Sequence, residues 1–287
     1  MVNMKRLLGL VLVLVCFLAP MALVGTVKAN AAYPSLAGCK IAWDATHDPP
    51  DGRQSHVYRY DDVLIPDLTA RGATFTIITT GPLTLSLLQQ YDVWWIEEYW
   101  YGTFSDDELS ALVDYVNAGG AVLFNGDEIG FSESPVGRIM NPFGISYTGE
   151  AGDPGLATDI TPHPITEGVS SVNFPGPENS LSVSGPAMGV VRDAHSRILV
   201  AVATVGNGRV VAVCNEALGD DSINQGDTRR LGNNIFTWLC KAAAAPPVGG
   251  TVIPVDKLSL LAPWIVMAVL PAVALWASRK QVKPVSR

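Results

Sequence analysis

Residues 91–128, YDVWWIEEYWYGTFSDDELSALVDYVNAGGAVLFNGDE, decide the fold. Two apolar runs, VWWI at 93–96 and AVLF at 121–124, are each too short for a helix and each end in carboxylates. Glu97 and Glu98 follow the first run, and Asp127 and Glu128 follow the second. Short, continuously apolar segments on either side of a helix read as buried parallel strands of a βαβ unit. The helix is marked at both ends. Ser105 and Glu108 form an S-x-x-E capping box, Leu109, Leu112, Val113 and Val116 give one apolar face, and Gly119-Gly120 closes it. A right-handed crossover places both acidic pairs at the carboxyl edge of the sheet, where open α/β folds hold their ligands.

Outward from this unit, the remaining signals fit the same sheet. KIAW at 40–43 reads as the first strand, with a polar loop, DATHDPPDGRQSH, leaving its carboxyl end. Residues 58–71 carry Tyr60, Val63, Leu64 and Leu68 on one side of a helix that Pro66 kinks or delays. The β-branched TFTIIT at 74–79 is the second strand. Residues 130–189 are dense in Gly, Pro and Ser, too long for a plain connection, and read as an elaborated flap with short strands and one helix near 136–141. ILVAVATV, then Gly206-Asn207-Gly208, then RVVAVC is a β-hairpin with an Asn-Gly turn. A last helix, TRRLGNNIFTWLC, turns Leu231, Ile235, Trp238 and Leu239 inward. The expected class is therefore α/β, flavodoxin-like, with a mostly parallel sheet, helices on both faces and a hairpin near the carboxyl end.

The two ends of the 287-residue chain read differently. Residues 1–31 have the form of a secretory signal peptide, with Lys5 and Arg6, an apolar run, and Ala29-Asn30-Ala31 as a small-residue cleavage site. Residues 258–277, LSLLAPWIVMAVLPAVALWA, are 20 uncharged residues. As a helix they span about 30 Å, the thickness of a hydrocarbon core. Trp264 and Trp276 stand near its two ends, and Arg279, Lys280, Lys283 and Arg287 follow with no acid among them. The positive-inside rule then makes 278–287 a basic cytoplasmic tail, 242–257 a linker, and 32–241 an ectodomain outside a single-pass cell membrane anchor.

All 27 Asp and Glu lie between residues 32 and 257, against 12 of the 19 Lys and Arg, for a net charge of −15 there. Such a surface excludes nucleic acid, whose phosphates need a basic face. Three cysteines remain after the leader: Cys39, Cys214 and Cys240. Cys39 precedes the first strand and Cys240 ends the last helix. A helix antiparallel to a parallel sheet finishes near the strand starts, so a Cys39–Cys240 disulfide is expected in an oxidising compartment. Cys214, inside an apolar strand, reads as a buried thiol.

The strand ends collect Asp44, His47 and Asp48, then Glu97 and Glu98, then Asn125, Asp127 and Glu128, then Asn215 and Glu216. Converging carboxylates would hold a divalent cation, since Ca²⁺ and Mg²⁺ take oxygen ligands. They would equally hydrogen-bond a sugar's hydroxyls, with Trp94, Trp95, Trp100 and Tyr101 as apolar platforms. Solvated loop acids and helix caps account for the same residues without a ligand. Nucleophilic catalysis lacks its signature: no G-x-S-x-G or G-x-C-x-G elbow occurs, and the turn after the fourth strand reads Asn-Gly-Asp-Glu. Among His47, His56, His163 and His195, only His47 leaves a strand at the ligand edge. Paired with Asp127 or Glu97, it is the one candidate base for a metal-assisted hydrolase.

The series DATH, YRYDDVLIPDLTARG, GPLTLSLLQQYDVWWI, FSDDELSALVDYVNAGGAVLFNGDE and GDDSINQGDTRRLGNNIFTWL resembles the GIFT-type domain. That is the class I glutamine amidotransferase-like domain shared by gliding-motility auxiliary and intraflagellar transport proteins. The resemblance covers roughly residues 39–240 and implies a flavodoxin-like sheet that lacks the amidotransferase cysteine. It also implies a binding or interaction module, a transport or cell-surface auxiliary whose ligand is a carbohydrate or a protein partner. Asp44 and His47 match its first-loop positions and Asp127 its fourth-strand acid; Trp94 and Trp95 replace small aliphatics. The ligand set expected is thus Asp44, His47, Glu97, Asp127, Glu128 and Asn215, with no cofactor beyond a divalent cation. The anchor, PVDKLSLLAPWI with its basic tail, is similar to those of archaeal surface proteins.

Overall fold

The computed structural model describes residues 33–47, 57–97, 103–126, 135–176, 179–214 and 216–240. Its strands are β1 (Lys40–Asp44), β2 (Thr74–Ile78), β3 (Val93–Glu97), β4 (Ala121–Asn125), β5 (Ile145–Tyr147), β6 (Gly155–Ala157), β7 (Asp159–Ile160), β8 (Val172–Phe174), β9 (Leu181–Val183), β10 (Ala187–Arg192), β11 (Ile198–Val205) and β12 (Gly208–Val213). The helices are α1 (Leu64–Ala70), α2 (Leu85–Leu88), α3 (Asp106–Asn117), α4 (Pro135–Met140) and α5 (Thr228–Leu239).

One sheet runs β2-β1-β3-β4-β12-β11-β10-β7. The first five strands of that order are parallel to one another. This is the 2-1-3-4-5 order of a flavodoxin-like sheet, with β12 in fifth place. Beyond β12 the pairing turns antiparallel through β11, β10 and β7, and β9 joins β11 and carries β5. The Gly- and Pro-rich segment is thus more than a flap: its strands widen the sheet, and the antiparallel part exceeds the hairpin that the sequence displays.

Strand β3 explains why the centre is rigid. Its five residues are all buried, so side chains of both parities need cover. Trp94 points to the face holding α2 and α3, where its indole N–H donates to the Leu88 carbonyl at 3.0 Å. Trp95 points the other way, its ring centroid 5.1 Å from Phe236 of α5. Both are 0% exposed. The two tryptophans that replace small aliphatics are therefore the central packing of the sheet, and neither offers a platform to a sugar. Trp100 and Tyr101 lie outside the described residues.

Helix α3 begins as the capping box predicts. The Ser105 hydroxyl accepts from Glu108 N at 3.3 Å, and Glu108 Oε2 accepts from Ser105 N at 2.9 Å. Pro66 delays α1 to Leu64, after a short 3-10 turn at Val57–Arg59. The hairpin closes one residue earlier than the Asn-Gly reading placed it. Val205 pairs Gly208 across a two-residue loop, and Gly206 takes the positive φ of +58° at its first central position. Gly208 itself is needed for space. A Cβ there would stand 2.0 Å from the Val116 carbonyl oxygen and 2.5 Å from that of Gly120, both backbone atoms that cannot step aside. Gly208→Ala is expected to cost about 3 kcal/mol, at the high end for overpacking. The check is the urea midpoint; an unchanged midpoint would show that α3 and β12 can separate freely.

Cys39 and Cys240 are joined across a sequence separation of 201 residues, with Cα atoms 5.7 Å apart, and Cys214 is buried. Among the described residues no helix is long and apolar enough to cross a membrane. The leader 1–31, the linker 242–257, the apolar stretch 258–277 and the basic tail 278–287 all lie outside those residues.

Candidate functional site at the carboxyl edge of the sheet

Two polar networks stand at the carboxyl ends of the parallel strands, one on each face. On the α2/α3 face, Asp44 ends β1 and is fully buried. Its Oδ1 accepts from the backbone N–H and the hydroxyl of Thr46, at 2.9 and 2.8 Å. Its Oδ2 lies 3.0 Å from His47 Nδ1. The other imidazole nitrogen, Nε2, lies 3.3 Å from Glu108 Oε1, and the ring stacks on Phe104 with centroids 3.9 Å apart. Glu108 is held in turn: Oε1 accepts from Leu83 N at 3.0 Å, and Oε2 from Ser105 N and Oγ.

This geometry favours charge on both partners. Burial works against a charged His47, yet the hydrogen bond and charge of Asp44, reinforced by Glu108, leave its pKa raised above 6.5. Burial likewise works against ionised Glu108, but the N–H groups of Ser105 and Leu83, the Ser105 hydroxyl and the charge of His47 leave its pKa lowered. The His47 ring is clasped between two buried carboxylates that favour its charged form, tying the loop after β1 to the first turn of α3. With both nitrogens engaged, it is poorly placed to take a proton from a substrate.

On the α1/α5 face the residues are Trp43, Tyr60, Trp95, Glu97 and Asn125. Glu97 and Asn125 are register partners at the ends of β3 and β4. The Asn125 amide donates to the Tyr60 hydroxyl at 2.7 Å, and that hydroxyl donates to Glu97 Oε1 at 2.6 Å. Tyr60 packs edge-on to Trp95 at 4.8 Å and lies 5.5 Å from Trp43. Arg59 beside it is ion-paired with Glu216. Among the described residues the buried atoms Asn125 Oδ1 and Trp95 Nε1 have no hydrogen-bond partner. An acceptor and a donor left this way each cost about 1–3 kcal/mol unless a solvent or ligand group meets them.

Of the six residues expected to bind, Asp44 and His47 share one network and Glu97 belongs to the other. Asp127, Glu128 and Asn215 lie outside the described residues. The expected convergence of His47 with Glu97 is not found, because strand alternation separates them. Trp43 pairs Trp95 in register, so Asp44 and Glu97 project from opposite faces. Sequence reading also missed two participants. Glu108 was accounted for as a capping residue, and Tyr60 as part of an apolar helix face. Neither role hints at a second one.

Two other acidic clusters have structural explanations. Asp153, Asp193 and His195 gather within 4.8 Å of one another, but Arg197 sits among them, 2.7 Å from Asp193 Oδ2 and 2.5 Å from Asp153 Oδ1. The Asp220 carboxylate beside Asp61 and Asp62 accepts from the N–H groups of Asp62 and Val63, both at 3.0 Å, just ahead of α1.

No family model matches the chain, and no curated protein does. Solved structures do. The mmIFT52 N-terminal domain aligns with a TM-score of 0.57 at 17% identity, over 70% of this chain and 97% of that one. The cytoplasmic protein STM3548 from Salmonella typhimurium aligns at 0.51 and 14% identity, over 70% and 98%. A ThuA-like protein from Bacteroides uniformis gives 0.47 and 17%, over 74% and 94%. Identities this low are a likeness of fold. The chain carries a flavodoxin-like α/β domain, the fold it shares with these structures.

Proposed function

We propose that the domain is a non-catalytic, amidotransferase-like binding module, carried outside the cell on a single carboxyl-terminal membrane helix as a cell-surface or transport auxiliary. The observation that carries this reading is the state of His47. The one histidine suited to act as a base has both ring nitrogens committed to buried carboxylates. The turn after β4, where a catalytic relative would place its nucleophile, begins instead with Asn125-Gly126. The ligand face is the edge near Glu97 and Asn125, where Asn125 Oδ1 and Trp95 Nε1 supply an acceptor and a donor. Hydroxyl groups both donate and accept, as a bare cation does not, which favours a glycan or another hydroxyl-rich ligand.

Calorimetry of the purified protein against a glycan panel and against Ca²⁺ and Mg²⁺ tests this. Binding of a glycan is expected, weakened at least ~10-fold by Asn125→Ala, since a lost hydrogen bond at a buried site is worth about 1–3 kcal/mol. No heat with any glycan, or binding indifferent to that substitution, would reject the site. Turnover of a bound sugar would reject the non-catalytic reading.

A further inference from the structure

Among the described residues the main run of the sheet ends in β7 and β2, and these two ends are built differently. At one end β7 is two residues long, contains Asp159 and is followed by Pro162, so it offers little to a further strand. At the other end β2, TFTII, is five residues long and carries no charge, no proline and no bulge. Thr74, Thr76 and Ile77 are exposed, Ile77 at 37%. Edges of this kind are normally blunted, because their unpaired backbone groups template another strand.

The hydrogen-bond parity of β2 says which groups are on offer. The N–H of Thr74 donates to the Cys39 carbonyl, and the Ile78 carbonyl accepts from Ala45 N. Thr74, Thr76 and Ile78 therefore direct their backbone groups at β1, and alternation turns those of Phe75 and Ile77 outward. The geometry points to a homodimer in which β2 of one copy pairs antiparallel with β2 of a second copy, about a two-fold axis through Thr76.

That register is self-consistent on three counts. Phe75 and Ile77 of one copy face Ile77 and Phe75 of the other as hydrogen-bonded pairs, giving four main-chain bonds from the outward groups. The side chains meeting there are aromatic against β-branched, a favourable cross-strand combination. Thr76 meets its own copy at the axis as a non-hydrogen-bonded pair, where side chains are closest and two threonine hydroxyls can bond. No charge meets a like charge, although the domain as a whole is acidic. The second copy is the occupant because the strand is its own complement.

The test uses the full chain in mild detergent. Light scattering is expected to give a dimer, and Thr76→Lys, which sets two ammonium groups face to face, should weaken it at least ~10-fold with the near-UV spectrum of the folded domain unchanged. A second variant keeps the result independent of folding. In Thr76→Cys the two cysteines stand with Cα atoms about 4.5 Å apart, within disulfide reach. In Thr74→Cys they are offset by four residues, about 13 Å, and out of reach. Oxidation should link the first into a covalent dimer and leave the second unlinked. A monomer at all concentrations, a dimer that Thr76→Lys does not disturb, or equal linking of the two cysteine variants would each overturn the pairing.

Discussion

His47→Ala is expected to destabilise the domain by about 3–5 kcal/mol, the range for removing one partner of a buried ion pair. The loss is large because two carboxylates depend on one imidazole. Asp44, fully buried at the end of β1, loses the contact at its Oδ2, and Glu108 loses the positive charge that helps keep it ionised. The pH dependence separates this clasp from ordinary packing. The folded pKa of His47 is raised, so its contribution is complete below about 6.5, the unfolded value, and is lost as pH rises through the folded one. The folded pKa of Glu108 is lowered, so its contribution is complete above about 4.5 and is lost as pH falls through the folded one. The clasp therefore contributes most between about pH 4.5 and 6.5. Urea midpoints of the wild type should fall from pH 6 toward pH 8.5, and those of His47→Ala should show a flatter slope there. Parallel slopes would mean that His47 is neutral in the fold and merely packed against Phe104.

The same clasp shows what a sequence can and cannot give. The strand–helix–strand unit was legible because burial on both faces writes itself as unbroken apolar runs, and because the Ser105–Glu108 box marks the helix start without ambiguity. The carboxyl-edge position of Asp44, His47, Glu97 and Asn125 followed from topology alone. Their division into two networks did not, because the face each residue takes depends on inter-strand register. Trp43 opposite Trp95 sends Asp44 to the α3 side and Glu97 to the α5 side. A shift of one residue would have gathered them into a single acid–base site. The antiparallel widening by β5 and β9 was equally hidden. Strands of three residues set among glycines and prolines carry too few side chains for a period to show.

Loss of the Cys39–Cys240 bridge, in a Cys39→Ser/Cys240→Ser double variant, is the other change with a large expected effect. The bridge closes a loop of 201 residues, so nearly the whole described domain is constrained in the unfolded chain. The loop-entropy relation gives about 5 kcal/mol for such a length, a third or more of the roughly 5–15 kcal/mol that holds a typical domain together. The native contacts around the two ends are expected to survive. Leu36 N donates to the Arg71 carbonyl, and Arg71 donates to the Pro34 carbonyl and to Asn233 of α5, all without the sulfurs. The variant should therefore fold with an unchanged near-UV spectrum but unfold at a much lower urea midpoint, with a steeper dependence on urea as a more open unfolded state is exposed. If near-UV signal disappears in the absence of denaturant, the bridge holds the native packing of α5 on the strand starts, and the unfolded-state account fails. Alkylation of the native wild type discriminates further. With the bridge closed and Cys214 buried, no thiol should react until urea is added. Reaction at Cys39 and Cys240 under native conditions would place the domain in a reducing compartment and remove the ground for carrying it outside the cell.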